Sequence, residues 1–473
     1  MAANKPEQIM PSPAFLPVHR LSAEIAAGRL SPVDLVEDCL ARTARLEPKL
    51  QAYVSLHAAA ARLAAEAADK AIRSGHRIGP LHGIPIAVKD LVEIEGKVAM
   101  GGTAAWKDRV ATRTATLYHK ILAAGIIVLG KTHTVEFAYG GWGTNQKLGT
   151  PWNPWDATTH RTPGGSSSGS GVAVGARIAP WAIGTDTGGS VRIPAAWNGI
   201  TGLKTTIGRI SVHGVLPLSP TLDTPGPITR CVEDAATLFC LLQGDDPLDP
   251  RTAGHRDCDP WPTLRRGVKG LRLGRFPATE RAGVDAEVLA AYDRSVDFLA
   301  SLGADIVDVS LPMRLADLGA INGRIMSAEA YAMLADLVDD PQAPLDEDVR
   351  PRVRAGASIS SRDYLTALME RERLKLAYAE ATQGLDAVLT PTTVTPAIPI
   401  ASIDQNTTPG MLTRWVNFLD LCALALPCGF TAGGLPLSLQ IVCKGYDEAM
   451  ALRIGWAYQN ATDWHERVPP MAA

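Results

Sequence analysis

"WAIGTDTGGSVRIP", Trp181 to Pro194, joins an apolar run to a pair of glycines, one serine and an arginine. Its first five residues read as a short buried strand, and Gly188 and Gly189 end that strand in a turn. Ser190 sits in the turn with no histidine near it. Histidine is the usual base for a serine nucleophile, so a nucleophilic Ser190 needs another proton acceptor.

Comparable apolar runs lie on both sides of this stretch. "IPIAV" (84–88) and "IIVLG" (126–130) precede it; "LRLG" (271–274), "DIVDV" (305–309), "AVLTPT" (387–392) and "LSLQIVC" (437–443) follow, with helix-length segments between, one near 284–302. Buried strands alternating with helices predict an α/β fold: one large domain over 1–473 with a central mixed, mostly parallel β-sheet sandwiched by helices. Ser31-Pro32-Val33-Asp34 reads as a helix cap with proline at the first helical position, and an Ala-rich helix follows from about His57 to Ile72. The chain therefore divides into N-terminal helices (1–75), a core with the chemistry-bearing motifs (76–240), a surface loop rich in Asp, Pro and Gly (243–262) and a later region that includes 311–380.

Composition narrows the function classes. The 473 residues are 46% hydrophobic and carry 46 Lys and Arg against 49 Asp and Glu, a net charge of −3. No basic cluster tracks a phosphate backbone, so nucleic acid is not an expected partner. Seven cysteines (Cys39, Cys231, Cys240, Cys258, Cys422, Cys428, Cys443) are scattered without a CxxC pair and read as reduced thiols. "MAANKPEQIMPSPAF" has no apolar leader core, and no run of 18 apolar residues occurs. The expectation is a cytoplasmic protein without membrane association.

Two familiar patterns are decoys. Gly125 to Thr132 fits GxxxxGK[ST], but its centre, Ile-Ile-Val-Leu, belongs in a buried strand and not in an anion-cradling loop. Gly165 to Gly169 fits GxSxG, but the polar turn "TTHRTPGG" precedes it where a nucleophile elbow needs a strand. Lys89 is the more telling residue, a lysine closing the apolar strand "IPIAV". Burial that lowers its pKa from about 10.4 to about 7 corresponds to roughly 4–5 kcal/mol and would make it a base.

"GPLHGIPIAVKD" (79–90), "GGSSSG" (164–169), "GTDTGGSVRIPAAWNGITGLKTTIGRIS" (184–211) and "LDTPGPITR" (222–230) together resemble the amidase signature family, the Ser-cisSer-Lys hydrolases. That family includes stand-alone amidases and the A subunit of glutamyl/aspartyl-tRNA amidotransferase. The resemblance runs from about Ser31 to Ala236, returns at 386–397 and 424–442, and is weakest over 311–380, which it implies is the variable, substrate-side region. It implies Lys89 as the base, Ser166, after a cis peptide, as the proton relay, and Ser190 as the nucleophile. The family keeps 24 residues between its two serines, and the interval 166 to 190 matches, selecting Ser166 over Ser167 and Ser168. Gly188 and Gly189 let the amides of Thr187, Gly188, Gly189 and Ser190 converge on an oxyanion. The resemblance also implies that Asp186 and Arg192 pair to brace the turn, with Ser167 in the same network. The chemistry calls for no metal and no organic cofactor.

Substrate choice is less legible. Family members place pocket walls on stretches corresponding to 139–145 and 392–400, which nominates Tyr139, Gly140, Gly141, Trp142, Thr392 and Ile398. That pocket is expected to be apolar and roomy at the glycines. No cation is evidently placed to hold a carboxylate, so a hydrophobic aryl or alkyl amide, or a carbamate, is expected over a small dicarboxylate monoamide. The alternative, the glutaminase component of a tRNA amidotransferase, is disfavoured by "GGWGTNQKLG" (140–149). Family precedent allows a homodimer.

Overall fold

The computed structural model describes residues 12–473, so the leader reading of the first fifteen residues lies largely outside the described part. Eleven strands form one sheet: β1 (Tyr53–Leu56), β2 (Pro85–Lys89), β3 (Ile127–Thr132), β4 (Trp181–Asp186), β5 (Thr201–Lys204), β6 (Thr224–Thr229), β7 (Arg272–Arg275), β8 (Asp305–Asp308), β9 (Ala387–Pro391), β10 (Cys422–Phe430) and β11 (Pro436–Cys443). Their order is β1-β3-β2-β4-β6-β5-β10-β11-β9-β7-β8. All seven apolar runs read from sequence are strands, displaced by one or two residues at their ends.

The expected parallel majority is corrected. Parallel pairing is confined to β3-β2-β4 and to β9-β7-β8, and the six other neighbour pairs are antiparallel. Every antiparallel pair except β11-β9 includes β1, β5, β6 or β10, strands that the apolar-run reading did not pick out. β6 explains why: its sequence, TPGPIT, carries two prolines yet sits between β4 and β5 in mid-sheet. Prolines ordinarily argue against a central strand because they donate nothing to the ladder.

One sheet means one domain. β5, from the first half of the chain, pairs with β10 from the last quarter, so the connection at 243–262 crosses no boundary. The Ser31 hydroxyl accepts from the Asp34 amide and caps helix Pro32–Leu50, followed by helix Ala58–Arg73. The region 311–380 is mostly two long helices, Leu315–Val338 and Ser361–Ala381.

Small residues set the depth of the site. Helix Ser168–Gly175 (SGSGVAVG) is buried along its whole length and closes on helix Arg192–Asn198. A Cβ at Gly171 would fall 2.8 Å from Pro194 Cβ and 2.9 Å from Asn198 Nδ2, so glycine is required for that approach. The GxxxxGKT decoy resolves as expected: Gly130 and Lys131 lie inside β3, and Lys131 Nζ is 2.6 Å from Asp90 Oδ1, both buried. That lysine completes an internal ion pair and faces no phosphate cradle.

Candidate active site

β2 and β4 run parallel side by side and bring their C-terminal ends to one edge. β2 ends in Lys89, which is fully buried, and β4 ends in Thr185 and Asp186. Lys89 Nζ donates to Ser166 Oγ at 2.7 Å and to Thr185 Oγ1 at 2.8 Å. No carboxylate among the described residues lies within ion-pair distance of it. Burial therefore dominates and pushes Lys89 down to about 7, offset in part by the more distant Asp186 and Asp223.

Ser166 enters through the cis Gly165–Ser166 peptide, and its carbonyl accepts from the Val135 amide at 3.1 Å. Ser167 ties the two serine segments to β4. Its hydroxyl donates to Thr185 O and accepts from the Thr185 amide, each at 3.2 Å, while its own amide donates to Ser190 O at 3.3 Å. Ser190 is 7% exposed in the turn between β4 and helix Arg192–Asn198, after Gly189 at φ +132°.

Asp186 organises that turn. Its carboxylate accepts from the amides of Gly189 (2.7 Å) and Val191 (3.0 Å), and from Arg192 Nε (3.0 Å) and Nη2 (2.9 Å). Burial alone would raise its pKa, but the adjoining Arg192 guanidinium outweighs burial and holds it below the usual carboxylate range. Arg192 is anchored in turn to Thr413 O, Gln440 Oε1 and Asn417 Oδ1. The pairing of Asp186 with Arg192 is thus present, inside the protein and fully hydrogen-bonded.

The same bond removes one expected oxyanion donor. Because the Gly189 amide is aimed at Asp186, the amides left without a hydrogen bond to any described residue are those of Thr187, Gly188 and Ser190. Thr187 is steadied by its hydroxyl, which donates to Asp223 Oδ1 at 2.5 Å. Burial raises Asp223 to about 6 against that bond and two backbone amides. A cavity of about 240 Å³ opens here, lined by Ala138, Thr185, Thr187, Leu218, Asp223 and Met333 among others.

None of the six residues nominated for the pocket lines that cavity. Trp142 stacks on Trp197 with ring centroids 5.7 Å apart, donates to Thr407 O, and forms a separate small core with Ile193 and Ala397 against which Ile398 packs. Tyr139 is buried with its hydroxyl 2.7 Å from Ser327 Oγ, and Thr392 is pinned to Ser438 at 2.8 Å. The glycines are not roomy: a Cβ would meet Val135 Cγ1 at 2.9 Å from Gly140 and Pro409 Cγ at 2.8 Å from Gly141. An aromatic residue in an apolar loop fits a core as well as a pocket, and packing decided for the core.

Thr185, Asp223, Asn417 and Gln440 serve the site without having been singled out from sequence. Thr185 stands inside the opening stretch and was within reach of a local reading. The others act from 36 to 248 positions away from their partners, with no local pattern to mark them. For a metal, the described residues offer one group, His19, Cys231 and Asp234, but Asp234 already accepts from the amides of Val18 and His19 at a helix start.

The Amidase family model matches residues 34–452 of this chain. The chain belongs to the amidase family. The A subunit of the glutamyl-tRNA(Gln) amidotransferase of Chloroflexus aggregans is 35% identical over 97% of this chain and 99% of its own length. A 2-amino-5-chloromuconic acid deaminase of Comamonas testosteroni is 36% identical, with 93% and 95% covered. The X-ray structure of the native peptide amidase of Stenotrophomonas maltophilia superposes with a TM-score of 0.85 at 30% identity, over 96% of this chain and 98% of that one. This amidase therefore acts on amide C–N bonds, and its sheet is the family's mixed α/β sheet. Among the described residues no helix is long and apolar enough to cross a membrane.

Proposed function

We propose that this chain is a stand-alone hydrolase of small-molecule amides, working through an acyl-enzyme on Ser190 with Ser166 as relay and Lys89 as base. The observation that carries the reading is the 2.7 Å contact between Ser166 Oγ and a buried Lys89 whose pKa burial has brought to about 7. A neutral amine at that position accepts the Ser166 proton while Ser166 takes the Ser190 proton. Ser190 Oγ then attacks the carbonyl carbon. The developing oxyanion is met by the amides of Thr187, Gly188 and Ser190, each such donor contributing roughly 3–4 kcal/mol.

Collapse of the adduct breaks the C–N bond. Lys89 returns its proton through Ser166 to the departing nitrogen, and the amine leaves. Water then gives a proton to the same relay, attacks the ester and releases the acid, with Ser190 reprotonated. A carbamate carbonyl is attacked in the same way: loss of its amine leaves a carbonate ester on Ser190, which water releases as a carbonic acid half-ester that loses CO2, so urethane cleavage belongs to the same proposal. Aryl and alkyl amides remain within it.

A second reading, the glutaminase component of a tRNA amidotransferase, has one specific support: the similar amidotransferase chain from Chloroflexus aggregans is covered almost end to end. The lone purified chain separates the two when offered a 4-nitroanilide, an aryl carbamate with the same leaving amine, and glutamine. Turnover of either chromogenic substrate, lost by at least about 10,000-fold in Ser190→Ala, is expected for the stand-alone hydrolase. Ammonia release from glutamine alone would favour the amidotransferase reading. Activity surviving in Ser190→Ala would overturn the assignment of the nucleophile.

A further inference from the structure

Arg414 opens the short helix Arg414–Phe418 and lies along the Ser190 turn. A Cβ added to Gly188, two residues before Ser190, would stand 3.1 Å from Arg414 Cγ, and one added to Gly410 would stand 3.3 Å from both its Cγ and its Nε. The contact is held from the next residue: Thr413 Oγ1 donates to Gly188 O at 2.7 Å. The arginine is thus fixed against the backbone that presents the nucleophile.

Its guanidinium makes no hydrogen bond and no ion pair with any described residue. Arg414 is only partly buried and keeps no partner among the described residues, whereas the fully buried Arg192 beside the same turn is paired with Asp186. The groups that face Arg414 add no negative charge at neutral pH, being the Tyr139 phenol and the Arg352 guanidinium, and Arg352 already donates to Tyr139 O, Gln405 O and Gln405 Oε1. Burial opposes the charged form of Arg414, as the direction of its pKa shift records.

A partly buried cation that keeps no partner beside the Ser190 turn is open to an anionic group of a ligand. A planar guanidinium fork matches a carboxylate bidentately. We infer that Arg414 grips a carboxylate of the substrate beside the Ser190 turn, making this an amidase of carboxylate-bearing amides. This rests on the Ser190 reading of the site and reverses the expectation, drawn from sequence, that dicarboxylate monoamides are disfavoured. Glutamine, an amide with its own carboxylate, meets the same demand.

The test compares kcat/KM within matched pairs. Succinic acid mono-4-nitroanilide is set against butyric 4-nitroanilide, with the charge on the acyl side. N-Butyryl-4-aminobenzoate is set against 4-(butyrylamino)benzamide, with the charge on the amine side. In the wild type the charged member of at least one pair is expected to be preferred by about tenfold or more. In Arg414→Gln that ratio is expected to fall to within about threefold of one, through KM, with Arg414→Lys intermediate because the charge is kept and the fork lost.

Wild type that prefers neither charged member overturns the inference without recourse to a variant, as does a preference that survives in folded Arg414→Gln. Turnover of the neutral members alone keeps the hydrolase and removes the carboxylate grip. Failure of a fluorophosphonate to label Ser190 removes the hydrolase reading and, with it, the inference.

Discussion

The surroundings of Lys89 suit it to the proposed role of base. Two hydroxyls hold its nitrogen, no carboxylate pairs with it, and burial brings it to about 7. The sign of the pH dependence follows. Only the neutral amine accepts a proton, and the neutral fraction rises as pH passes through about 7, so kcat/KM is expected to climb with pH and level off above that point. A profile that is flat from about pH 5.5 to 8.5, or that falls over this range, would remove Lys89 from the role. Ser166 and Ser167 show how finely residue identity is divided: the first touches Lys89, while the hydroxyl of the second bonds only Thr185 and its amide bonds the Ser190 carbonyl. The 24-residue spacing had already separated them in the sequence.

At the scale of elements, the turn between β4 and helix Arg192–Asn198 is held by one enclosed carboxylate. Asp186 binds two amides of the turn and two nitrogens of the Arg192 fork, and Arg192 fastens the turn to the segment 413–417 and to β11. Asp186→Asn would leave a buried guanidinium without its counter-charge, a change that typically costs about 3–5 kcal/mol. Urea unfolding is expected to show a loss of that size together with reduced activity; a loss below about 1 kcal/mol would mean that the brace is dispensable. The pair was legible through the family resemblance, which implied that Asp186 and Arg192 brace the turn. The diversion of the Gly189 amide was not, since it depends on the angle at which the turn closes.

Across the whole molecule, the pairing of β5 with β10 makes the first and last parts of the chain one sheet, although the Pro- and Asp-rich stretch at 243–262 looks from sequence like a place to divide it. Proteolytic nicking within 243–262 is therefore expected to leave two fragments that co-elute in native size-exclusion chromatography and retain activity. Fragments that separate without denaturant would show two folding units. The same topology explains one missed strand, β6. An apolar-run search finds strands buried on both faces by their own composition, whereas β6, with two prolines, is a strand only because β4 and β5 flank it.

The amino-acid sequence by itself determined the seven apolar strands, the capped N-terminal helix and the family motifs with their spacing, because each is written in contiguous residues whose local physics needs no distant partner. Tertiary structure decided the strand directions, which amides of the Ser190 turn stay free, the burial of Trp142 and Thr392 as core, and the solitary charge of Arg414. Each of these depends on which remote group arrives alongside: Asp223 for Thr187, Gln440 for Arg192, and, for Arg414, no group of the described chain at all.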